Sequence, residues 1–274
     1  MGSHEVCNLT VEVCQTAMIL SRSPAMKKYA LFVGVSLAVN VCGWNARGDE
    51  PKPEQIIDKA IRAHGGEEKL SGLTGFSLKE RIVYEKGPTW TFEVEANVPH
   101  RYRSEMKSGP EGKNRSVIVI NGEQGWLKRG DDVDPYPATF LDSMRKNTIP
   151  YLGPRSILRL KARQQNSRCQ FSTAGECTID GHQAVGLRMK LEDGPQQTWY
   201  FDKESGLLLK SESKTANFEG ADTVSVTTYE DYQTIDGFPM ARKERTERDG
   251  KPASTTELME FKVATPSEGA FAKP

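Results

Sequence analysis

Residues 76–98 read FSLKERIVYEKGPTWTFEVEANV. Phe76, Leu78, Ile82 and Tyr84 stand at even positions. Beyond a Lys86-Gly87-Pro88 turn, Trp90, Phe92, Val94, Ala96 and Val98 do the same, with Thr89, Thr91, Glu93, Glu95 and Asn97 between them. A period of two sends successive side chains to opposite faces of a strand, so this stretch predicts a β-hairpin with one apolar and one wet face.

Working outward, the alternation continues past Pro99 through His100, Tyr102, Ser104 and Met106, which predicts a third strand with His100 in its half-buried wall. Ser116 to Ile120 and Gln124 to Lys128 flank Asn121-Gly122, the residue pair of a tight hairpin turn. Upstream, PKPEQIIDKAIRAH (51–64) places Ile56, Ile57, Ala60, Ile61 and Ala63 at near-helical spacing, opens on proline and acid, and closes on Gly65-Gly66. It predicts an amphipathic helix with a glycine cap, with His64 capping its last turn. Glu67 to Leu73 adds a further short helical turn.

Downstream, Asp131 to Arg163 breaks the strand pattern. Pro135, Pro137, Pro150 and Pro154 punctuate two apolar clusters, Phe140-Leu141-Met144 and Ile157-Leu158-Leu160, expected as short helices inserted between strands. Alternation then resumes around Val185, Trp199, Leu207, Val224, Phe238 and Thr255, with turns at Gly181, Gly194, Gly206, Gly220, Gly237 and Gly250. About ten short strands in linear order form one meandering antiparallel sheet, too wide to stay flat. The fold class expected is therefore mainly β (α+β): a single curled antiparallel sheet forming a half-open β-barrel, its concave side covered by the first helix and a helical lid.

The beginning of the chain reads differently. From Met26, Lys27 and Lys28 precede an apolar run from Leu31 to Val41, and Ala46-Arg47-Gly48 places small residues at the positions a signal peptidase reads. That run is shorter than the roughly 20 residues a membrane-spanning helix needs. The expected organisation is residues 1–25 as a mis-assigned extension, 26–48 as a cleaved signal peptide, and 49–274 as one domain that is periplasmic or otherwise exported. Lipid anchoring at Cys42 is disfavoured, because Asn40 and Val41 precede it where small residues are preferred. Cys169 and Cys177 remain in the exported part, and a pair of cysteines there predicts a disulfide closing a short loop.

Thirty-seven Lys+Arg balance 37 Asp+Glu, so no single-sign field draws nucleic acid. There is no G-x-S-x-G elbow, H-E-x-x-H helix, phosphate loop or dinucleotide fingerprint, and no enzyme activity or cofactor is expected. His64, His100 and His182 are scattered, which argues against a metal site, and Asp131, Asp132 and Asp134 read as a solvated loop. The charged run RKERTERDGK (242–251) reads as a solvated strand pair and turn.

Four segments resemble one known family: PEQIIDKAIRAHGG (53–66), NGEQGWLK (121–128), WYFDKESGLLLK (199–210) and YEDYQTIDGFPMARK (229–243), followed by a last strand and the FAKP ending. Together they resemble the LolA-like periplasmic proteins, the fold of the outer-membrane lipoprotein carrier and its receptor and regulator relatives. The resemblance implies an unclosed barrel with a helical lid around a hydrophobic cavity for lipid or lipoprotein acyl chains. It also implies a possible receptor protein in either membrane, and no cofactor; a monomer is expected. The expected cavity wall is Phe76, Leu78, Trp90, Phe92, Val94, Tyr102, Trp199 and Phe201 from the sheet, with Phe140, Leu141 and Met144 from the lid. Two alternatives stay open: an envelope assembly or stress-regulatory module that binds a protein partner over a filled core, and a hydrolase.

Overall fold

The computed structural model describes residues 51–192, 196–216 and 222–274. The expected extension, signal peptide, Cys42 and the Gly194 and Gly220 turns lie outside the described residues.

Helix α1 (Pro53–Ala63) begins where Lys52 N–H donates to Gln55 Oε1 at 2.9 Å. It ends at Gly65 and Gly66, whose φ of 123° and 82° only glycine adopts without strain. Ile56, Ile57, Ala60 and Ile61 form its buried stripe. After a short α2 (Glu67–Gly72), six antiparallel strands step outward: β1 (Gly75–Tyr84), β2 (Trp90–Asn97), β3 (Arg101–Ser108), β4 (Asn114–Asn121), β5 (Gln124–Arg129) and β6 (Asp132–Pro135). The insertion follows, with α3 (Ala138–Ser143), a π-helical turn (Met144–Thr148), two 3₁₀ turns (Ile149–Tyr151, Gly153–Ile157) and α4 (Leu158–Gln164). Seven more strands return: β7 (Cys169–Ile179), β8 (His182–Leu191), β9 (Gln196–Asp202), β10 (Leu208–Ala216), β11 (Asp222–Ile235), β12 (Phe238–Arg248) and β13 (Lys251–Val263).

These thirteen strands form one sheet in the order β6-β5-β4-β3-β2-β1-β13-β12-β11-β10-β9-β8-β7. Every pairing is antiparallel, and β13 returns to pair with β1, Phe76 opposite Val263. The strand run thus starts and finishes at the middle of the sheet. β6 and β7 are its two edges, so the sheet is curled and not closed, a mostly β half-open barrel.

The even positions of β1 and β2 point to the concave side as expected: Phe76, Ile82, Phe92 and Ala96 are buried. They share one core with Tyr102, Ile118 and Ile120 of β3 and β4, and with Val185, Leu187, Trp199 and Phe201 of β8 and β9. α1 and the insertion cover this face, α1 touching β7, β8 and α4. A second, small core sits on the convex side, where Phe271 of a C-terminal 3₁₀ turn is fully buried on Val117 and Val119.

Three expectations are corrected. Cys169 and Cys177 form no disulfide; both lie on the single strand β7, opposite Leu191 and Ala184. Eight residues of extended chain separate their Cα atoms by roughly 26 Å, whereas a disulfide spans about 4.4–6.8 Å. The segment expected as a small loop is an edge strand. His100 is exposed in the turn before β3, because strand β2 ends at Asn97 and the wall residue is Tyr102. The run 242–251 does form the end of β12 and the turn to β13, but it is not wholly solvated: Glu244 faces the concave side.

Candidate functional site: a cavity under the lid

Between the sheet and the insertion lies a cavity of about 100 Å³. Its floor comes from β1 and β9–β13, its roof from residues 153–163, and His64 at the end of α1 borders it. Leu78, Ile157, Leu160, Trp199, Leu208 and Leu258 supply apolar wall. Polar groups share the wall. Ser211 Oγ and Tyr229 Oη share a hydrogen bond of 3.2 Å, and Tyr232 Oη donates to the Leu208 carbonyl at 2.9 Å.

Two carboxyls face this space, Glu80 of β1 and Glu244 of β12. Glu80 stands opposite Leu258 and Glu244 opposite Thr256, so the two flank β13, offset by one inward-facing position. Spacings of about 4.8 Å between strands and 3.4 Å per residue put their Cα atoms about 12 Å apart. Both are closely surrounded by protein. Burial, and then the charge of Glu244, pushes Glu80 up to about 8, and burial pushes Glu244 up to about 7. The β1–β13 register shifts between Lys79 and Glu80, a bulge of the kind that re-aims a side chain.

The convex face handles its carboxylates differently. Glu105 of β3 is nearly inaccessible to solvent, yet Arg115 Nε meets it at 2.7 Å and Lys107 Nζ at 2.9 Å. Burial pushes Glu105 up, but the hydrogen bonds and charges of Arg115 and Lys107 outweigh it and hold the group at about 2. Lys79 and Lys107 likewise bracket Glu93. The carboxyls of Glu80 and Glu244 have no hydrogen bond or ion pair among the described residues.

His64 caps α1: its Nδ1 lies 2.8 Å from the Ala60 carbonyl. Burial lowers its pKa more than that hydrogen bond raises it, so the ring is neutral and serves as a donor, not as a helix-end cation.

The roof is fastened by Arg155. Its guanidinium donates to the carbonyls of Leu70, Ser71 and Leu73, the carboxyl end of α2, and its Nε donates to Pro150 O at 2.9 Å. The end of a helix leaves carbonyls short of partners; of these three, that of Leu70 also accepts from the backbone N–H of Leu73. Lys161 of α4 also pairs with Glu67 of α2. Gly153 starts the second 3₁₀ turn of the insertion at φ 54°, and a Cβ there would stand 3.2 Å from Phe76 Cζ.

Of the wall expected from sequence, Leu78 and Trp199 border the cavity. Phe76, Phe92, Val94, Tyr102, Met144 and Phe201 are buried in the concave core, and Trp90, Phe140 and Leu141 pack partly buried against it. Glu80 and Glu244 were not anticipated. A signal for Glu80 existed: it holds the even, inward position between Leu78 and Ile82.

No protein-family model matches the sequence, and no curated protein matches it. Solved structures do resemble the fold. A LolA superfamily protein from Nitrosomonas europaea superposes with a TM-score of 0.51 at 11% identity, covering 81% of this chain and 98% of that one. A DUF1329 family protein from Desulfovibrio piger gives 0.52 at 12% identity, covering 80% and 95%. At these identities the likeness speaks to architecture. With the unclosed sheet and its lid, it establishes that the chain has a LolA-like fold.

Proposed function

We propose that this protein is an exported binding protein of the cell envelope that holds the apolar part of a lipid or lipoprotein between its curled sheet and its lid, as carrier or sensor. The observation that carries this reading is the cavity itself: a concave, partly apolar space at the sheet–lid boundary in a LolA-like fold. At about 100 Å³ it is smaller than the roughly 300–1,000 Å³ of small-molecule sites, so a long acyl chain enters by lifting the lid. Phe140, Leu141 and Met144, together with Phe76 beneath Gly153, then join Leu78 and Trp199 in contact with the ligand. Each methylene buried contributes about 0.8 kcal/mol.

Native mass spectrometry of the protein purified from a membrane-containing lysate tests the reading. A co-purified lipid is the expected result. A protein that emerges ligand-free, and that also takes up no fatty acyl probe from solution, overturns it. A second reading, a module that binds a protein segment by strand addition, draws support from β7, an eleven-residue strand at the sheet edge. Loss of partner binding on placing proline in β7, with lipid content unchanged, would favour it.

A further inference from the structure

We infer that the cavity receives an amphiphile bearing a protonated amine, its ammonium held between the carboxylates of Glu80 and Glu244 and its apolar body lying on Leu78, Trp199 and Leu258. This rests on the reading of the cavity as a ligand site and adds the chemistry of the head group.

The contrast between the two faces of the sheet motivates it. Enclosed carboxyls are costly unless paired or neutralised, and on the convex face the chain supplies lysine and arginine to Glu93 and Glu105. On the concave face two half-buried carboxyls line one cavity and, among the described residues, neither forms an ion pair with a cation. On the roof, Arg159 is held away from the pair: it donates to Asn147 O at 2.7 Å and its guanidinium lies 5.4 Å from the Tyr151 ring centroid. Once the two groups ionise, a cationic ligand can bring the balancing charge.

An ammonium fits better than a metal ion. It is a compact charge with three donors, which two carboxylates and a serine or tyrosine hydroxyl satisfy. A calcium ion takes about six to eight oxygens, and among the described residues no group of three His, Cys, Asp or Glu side chains is placed to hold a metal. The apolar floor around the pair requires a ligand with an apolar body as well as a charge.

Proton linkage gives the pH dependence. The titratable and charged groups facing the pair are His64 of α1, Arg159 and Arg163 of α4, Glu212 of β10, and Tyr229 and Tyr232 of β11. His64 is held neutral by burial and Tyr232 is pushed up by it, so across neutral pH the change comes from Glu80 and Glu244. An alkylammonium keeps its charge up to about pH 10. Its binding therefore strengthens as the pH rises through the carboxyl range and the two groups ionise.

The test compares dodecylammonium, dodecanol and dodecanoate, three probes with one tail, by titration calorimetry on the full-length protein. At about pH 8.5 dodecylammonium is expected to bind about tenfold more tightly than dodecanol and more tightly still than dodecanoate. That preference shrinks at about pH 6 as the carboxyls take up protons, and it is lost in the Glu80→Gln, Glu244→Gln double variant. Equal binding of the three probes by the native protein, or a lead for dodecanoate, overturns the amine assignment and leaves the lipid-binding reading standing. Failure of all three to bind overturns both. The comparison within the native protein holds even if the double variant fails to fold.

Discussion

Glu80 and Glu244 keep their protons well above the ordinary carboxylate range, at about 8 and about 7, while the unfolded chain releases them near 4.5. Between those values the folded state binds more protons than the unfolded state, so stability falls as pH rises, by at most about 1.4 kcal/mol per pH unit for each group. Urea midpoints are expected to be lower at pH 9 than at pH 5.5, with a flatter profile in the Glu80→Gln, Glu244→Gln variant. A native midpoint unchanged across that window would contradict the assignment. Glu105 works in the opposite sense: its contribution is complete above about 4.5 and disappears as pH falls toward 2. The two thiols supply a second check, since Cys169 and Cys177 are both expected to be alkylated without prior reduction, as read by peptide mass mapping. The sequence hid these features for definite reasons. Glu80 looked like a polar interruption of an apolar row, and Glu244 lay in a run of alternating charges whose inward members have no apolar neighbours to mark them. Two cysteines eight apart fit a loop as well as a strand until the strand is known.

Arg155 ties the insertion to α2 through three carbonyls at the end of that helix. Arg155→Ala is expected to destabilise the chain by about 1.5–3 kcal/mol, the range for hydrogen bonds to a charged group. Hydrogen exchange in residues 149–164 should accelerate more than in β1–β4. Uniform acceleration would mean that the arginine supports the whole fold and not the lid. At the opposite face, Phe271 plugs the convex core over Val117 and Val119, and Phe271→Ala is expected to cost about 3–5 kcal/mol by denaturant titration. Elements with a strong period were readable in advance: α1, the β1–β2 hairpin and the β4–β5 hairpin around Gly122 all follow from residue spacing. The lid helices were readable from their prolines. β6 and β7 were not, because edge strands bury little; most of β7 is half-buried or exposed, and its apolar alternation is correspondingly faint.

The order of the thirteen strands organises everything else. Because the run enters and leaves at the β1–β13 seam, the residues between β6 and β7 must cross from one edge of the sheet to the other, and those residues are the lid. Curvature was foreseeable from the number of strands, since so wide a sheet does not lie flat. The pairing of the last strand with the first was not, because it depends on contacts between residues nearly 190 positions apart, such as Phe76 with Val263. The consequence is mechanical. The lid is strung across the sheet like a cord across a bow, so cord tension and bow curvature are one variable. A guest that lifts the lid must also bend the sheet or slacken the cord at Arg155, and the gap between the edges becomes a gauge of occupancy. Spin labels at exposed Asp132 on β6 and Gln170 on β7 are expected to change separation when the cavity fills, and to lose that coupling once Arg155 no longer holds the cord in place.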